Sequence, residues 1–118
     1  MARARLYKDQ SADDHITAAV EGLRAAGRTD YLPRGLLTRA WIRCVSGDPA
    51  GSRADLDEAW EIAERGPMPL FQADIQFYRA RLFHDRAALE EARRLIEKHG
   101  YHRRDGELAD ALAAAERW

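Results

Sequence analysis

Gly47-Asp48-Pro49-Ala50-Gly51-Ser52-Arg53-Ala54-Asp55-Leu56-Asp57-Glu58-Ala59 is the stretch on which the fold turns. A glycine and an acid stop one helix. A new segment then runs from about Ala50 to Arg65, with Leu56, Ala59, Trp60 and Ala63 at helical spacing. Leu56 and Ala59 are a large and a small apolar residue one turn apart. The small residue lets a second helix approach closely, and the large one fills the gap beside it. Upstream, Asp30-Tyr31-Leu32-Pro33 opens a helix carrying Leu36, Leu37, Ala40, Trp41 and Cys44, with Pro33 in its first turn. The whole reads as helix, tight turn, helix.

Working outward, the same plan returns. Arg79-Ala80-Arg81-Leu82-Phe83-His84-Asp85-Arg86 nearly repeats Arg3-Ala4-Arg5-Leu6-Tyr7-Lys8-Asp9-Gln10, and Arg39-Ala40 starts a divergent third copy. Alanines 4, 40 and 80 are 36 and 40 residues apart. After each copy comes a large/small pair: Ile16/Ala19, Leu56/Ala59 and Leu89/Ala92, then a glycine at 27, 66 or 100. Residues 2–8 read as the end of one helix, and Ser11 as the cap of the next. Leu70 to Phe83 is apolar on two faces, as in a helix sandwiched between neighbours. Asp85 and Asp105 read as caps of the last two helices. Trp41 and Trp60 read as core. Hairpins repeated at this period stack into one elongated core.

Composition agrees and narrows the function. Of 118 residues, 46% are hydrophobic and 33% charged, with nineteen basic residues against twenty acidic. That balance is globular, and a net charge of -1 argues against bulk binding to nucleic acid or membrane. Ala, Leu, Arg and Glu dominate, all good helix formers, and no window alternates long enough for a strand. No apolar run reaches the roughly 18 residues of a membrane span. A single cysteine excludes an internal disulfide. The expected chain is all-α, soluble and cytoplasmic.

Gly47-Asp48 followed by Ser52, Leu56 and Ala59, with Leu36 and Ala40 before it, resembles the tetratricopeptide repeat (TPR) family. That family stacks helix-turn-helix units of about 34 residues. Arg39 stands where a leucine is usual and Arg43 where an aromatic is usual, while Tyr7 and Phe83 supply that aromatic in the other copies. Asp30 to Leu37 and Gly100 to Asp105 are similar to repeat arrays inside larger bacterial signalling proteins. The resemblance implies an α-solenoid of antiparallel hairpins: a partial first repeat at 1–27, repeats at 30–66 and 68–100, and a capping helix at 105–118. It also implies a partner-binding scaffold rather than an enzyme.

The candidate contact residues follow from that layout. Arg39, Arg43, Asp74 and Tyr78 would line a concave face for a peptide or helix, or else pair between neighbouring helices. Tyr101, Arg103 and Arg104 form a basic turn, with His102, able to take an anion or nucleic acid through forked guanidinium contacts, or to pair with Asp105 and Glu107. His84, His99 and His102 lack the further ligands of a metal site. Cys44 reads as a half-buried apolar residue, since nothing orients a histidine beside it. Asp55, Asp57, Glu58, Glu61 and Glu64 read as one solvated helix face. The expectation is therefore no catalytic residue, no metal and no cofactor. Its partner would be a protein or peptide; the short first repeat implies either self-association through residues 1–27 or an origin as a piece of a longer array.

Overall fold

The computed structural model describes residues 2–66 and 68–118, with side chains described for 12–66 and 68–118. It is all-α: α1 Ala2–Ala25, α2 Leu32–Val45, α3 Pro49–Arg65, α4 Pro69–Phe83, α5 Arg86–His99, a 3-10 turn His102–Arg104, and α6 Asp105–Ala115. No strand occurs among the described residues. Consecutive helices pack on one another within two compact units, 1–62 and 63–118.

The helix ends follow local chemistry. After α1, Arg28 N–H bonds the Leu23 carbonyl and Gly27 N–H that of Arg24. After α2, Asp48 bonds back to Arg43 and Gly47 to Cys44 in the same way. Gly27 and Gly47 take positive φ, as this closing motif requires. At the end of α4 a histidine does the glycine's work: His84 has φ 51, and Asp85 N–H bonds the Ala80 carbonyl. Asp48 caps α3 through a 2.9 Å bond from Gly51 N–H. Asp85 caps α5 through a 3.0 Å bond from Ala88 N–H.

In the first unit α1 lies on α2. Val20, Leu32, Leu36 and Leu37 are buried. Side chains of α1 press on the α2 backbone at Gly35, where a Cβ would sit 3.3 Å from Val20 Cγ2. Ala40, Ser52, Leu56 and Ala59 are fully buried between α2 and α3, and the Ser52 hydroxyl donates to the Ala40 carbonyl at 2.7 Å. In the second unit Ala73, Ala80, Ala88, Leu89, Leu95, Ile96, Leu108, Ala111 and Ala115 form one cluster, with Phe77, Tyr101, Leu112 and Trp118 against it. Trp118 also stacks on His84, ring centroids 5.0 Å apart. Arg86 Nη2 donates to the carbonyls of Ala115 and Trp118, tying the end of α6 to the start of α5.

Several expectations are corrected. The break expected between residue 8 and Ser11 does not occur, because no glycine or proline lies between 2 and 21 and α1 runs through. The side chains of the first copy, Arg3 to Gln10, and of Ser11 lie outside the described residues, and with them those of the first eleven residues of the expected self-association segment 1–27. Ala19 is exposed, unlike Ala59 and Ala92, because Val20 turns inward. Asp105 is the first residue of α6 rather than its cap, since the turn His102–Arg104 leads straight into the helix. Trp41 is half exposed rather than core.

Candidate functional site

Two of the three arginines of α2, Arg39 and Arg43, point inward. Arg39 is buried, and its Nε and Nη2 donate to both oxygens of Asp55 at 3.0 and 2.8 Å. Arg43 Nη1 reaches Asp55 Oδ1 at 3.3 Å, and its Nε reaches Asp13 Oδ1 at 3.3 Å. Asp55 therefore sits in the interior, not on the solvated face expected for α3. A buried arginine and a largely buried one require acids beside them, since a buried charge without a counterion is very unfavourable. Farther along α3, Glu58 takes both Nη groups of Arg24, and this bonding raises the Arg24 pKa.

The other expected contact residues lie in the second unit. Asp74 on α4 is half-buried and accepts from Arg104 Nη2 at 3.0 Å. Tyr78 is half-buried on the same helix. In the basic turn, Arg104 also meets Glu107 at 3.3 Å. Burial opposes the charge on Arg104, but the attraction of Asp74 and Glu107 outweighs it and raises the pKa. His102 Nδ1 lies 3.2 Å from Asp105. Tyr101 stacks on His99, centroids 5.7 Å apart. Arg103 is exposed. The turn's charges are thus largely paired with nearby acids, Asp74 among them, which sequence spacing did not reveal.

Among the described residues, no group of three His, Cys, Asp or Glu side chains is arranged to hold a metal. Cys44 is half-buried on α2. No helix of the described residues is long and apolar enough to cross a membrane. The outer surface of α5 carries Glu90, Glu91, Arg93, Arg94 and Glu97, which pair along the helix.

The outer face of α2 is different. Its exposed residues are Arg34, Thr38, Trp41 and Val45, with Tyr31 at the helix start in line with them. Tyr31, Trp41 and Val45 are 53%, 50% and 46% exposed, and they are the exposed large hydrophobic side chains of the described residues. Solvent-facing helix stripes are ordinarily polar. Tyr31 is held in place: the Arg28 guanidinium lies 4.5 Å from its ring centroid, and Asp30 grips that guanidinium with both oxygens at 3.1 Å. The Thr38 hydroxyl donates to the Arg34 carbonyl at 3.1 Å, satisfying its polar atom within the helix. Sequence reasoning placed Trp41 in the core. The available signal was its spacing from Tyr31 and Val45, ten and four residues away. Comparison with known proteins adds no relative: no family model, curated protein or solved structure matches the chain.

Proposed function

We propose that this chain is a non-enzymatic interaction module, a short TPR-like α-solenoid that acts as a cytoplasmic scaffold for a partner protein, within bacterial regulatory machinery. The support for repeat-like hairpins is local. Leu56 and Ala59 in α3, and Leu89 and Ala92 in α5, occupy matching buried positions after matching alanines, Ala40 and Ala80. The observation that carries the interaction reading is the gathering of Tyr31, Trp41 and Val45 on one helix face. A helix or peptide of the partner, laid along α2, would cover it. The concave version centred on Arg39 and Arg43 has less support, because their guanidinium groups are engaged by Asp55 and Asp13. The same holds for anion or nucleic-acid binding at 101–104, where Arg104 and His102 already face acids.

Selection of helical peptides against the purified chain tests this reading. Selected binders lose at least about tenfold in affinity on Trp41→Ala, as expected for a central aromatic anchor, and keep it on Arg103→Ala. A selection that yields no binder, or binders indifferent to Trp41, overturns it.

A further inference from the structure

We infer that the outer face of α2 is a two-fold contact with a second copy of this chain, the two α2 helices running antiparallel. The inference rests on the reading of this face as a contact surface and names its occupant. Tyr31, Arg34, Thr38, Trp41 and Val45 follow the 3, 4, 3, 4 spacing of a coiled-coil seam. Such a stripe stays on one side of a helix, so it can meet another helix along its whole length. The question is which helix.

The stripe complements itself when reversed. With Thr38 on the two-fold axis, Tyr31 meets the second copy's Val45, and Arg34 meets the second copy's Trp41. Both contacts occur twice, as a two-fold interface requires. An arginine over an indole face is the best aromatic partnership a guanidinium makes, and it leaves the charge tolerable at a partly wet contact. Thr38 brings its methyl to the axis, because its hydroxyl is already bonded to the Arg34 carbonyl. Arg34 is the one charged residue of the stripe. In a parallel pair the two Arg34 side chains would oppose each other directly. Reversal separates them by about 12 Å along the axis, at about 1.5 Å per residue, and puts an aromatic ring opposite each. Charge and shape therefore select the antiparallel register.

The contact is small. Covering the exposed parts of Tyr31, Trp41 and Val45 removes on the order of 300 Å² of side-chain surface from each copy. Stable interfaces total about 1,600 Å², so the dimer is weak and concentration-dependent.

Sedimentation equilibrium of the chain from about 5 µM to about 500 µM, a span suited to a small interface, is the first measurement. The average mass rises from one chain toward two. Trp41→Ala weakens the association at least about tenfold, and Arg34→Glu, which places an anion against the indole, abolishes it. Far-UV circular dichroism identifies any variant that has lost helix, and the remaining variant then decides. The second measurement sets the register. In a Cys44→Ser background, Thr38→Cys forms a disulfide-linked dimer on mild oxidation, whereas Arg34→Cys does not. A chain monomeric at every concentration overturns the inference, and so does a dimer indifferent to Trp41 and Arg34, or equal cross-linking from both cysteine positions. A monomer that still binds selected peptides through Trp41 removes only the second copy as occupant and leaves the interaction reading standing.

Discussion

The α2–α3 and α4–α5 hairpins meet one packing problem with different chemistry. Both place an alanine in the first helix, Ala40 or Ala80, and a leucine/alanine pair in the second, all buried. They part at the residue before that leucine. In α3 it is Asp55, 2% exposed, gripped by Arg39. In α5 it is Ala88, 6% exposed and part of an apolar cluster. One hairpin is held at this point by a bidentate ion pair and a hydroxyl-to-carbonyl bond, the other by hydrocarbon. The comparison teaches that the leucine/alanine pair sets how the helices pack, while the neighbouring position is open to either solution, provided a buried charge brings its counterion.

The largest effect should come from removing half of the ion pair. Asp55→Ala strands Arg39 in the interior and is expected to lower stability by about 3–5 kcal/mol in urea unfolding. Adding Arg39→Leu, which recreates the hydrocarbon solution of the other hairpin, should restore most of that loss. If the double variant is as unstable as the single one, the two hairpins are not interchangeable and the comparison breaks. Next, Leu89→Ala opens a cavity in the apolar hairpin and should cost about 2–4 kcal/mol by the same assay. Asp85→Ala removes the bond to Ala88 N–H and should cost about 1 kcal/mol, sharpening how much of the α4–α5 turn is local.

The smallest effect is on the α5 surface. The bond from Arg94 lowers the Glu91 pKa, against a smaller opposing effect of burial. An acid whose folded pKa is depressed stabilises above its ordinary range and loses that contribution as pH falls through the folded value. Glu91→Gln should therefore cost about 0.3–0.5 kcal/mol near neutral pH, given its exposure, and nothing once the pH is below the carboxylate range. Stability measured across that interval checks the sign.

Helix positions were legible because breakers and caps act locally: Pro33, Gly47-Asp48 and Asp85 mark real boundaries. The near-identical octapeptides 3–10 and 79–86 show where local reading stops. The first lies within α1, and the second turns at His84. Leu89, Ala92, Leu95 and Ile96 give the second a broad apolar face to fold back with, and all four are buried. After the first octapeptide, Val20 is buried while Ile16 and Leu23 are only partly so. Tertiary burial outweighs local likeness there. The pairing of Arg39 with Asp55 was open at the sequence level because the two residues are sixteen positions apart on different helices. Trp41 misled for a related reason: aromatic size predicts burial in general, but only phase around the helix assigns a side, and Trp41 shares its phase with Arg34 and Thr38.

The bidentate lock between Arg39 and Asp55 also governs alignment. Sliding α3 along α2 by one turn, about 5.4 Å, would part the guanidinium from its carboxylate and leave two dehydrated ions facing aliphatic neighbours. An alanine such as Ala88 would meet much the same surroundings after that slip. The first hairpin thus carries a built-in ruler, admitting one setting of its helices and rejecting the adjacent ones.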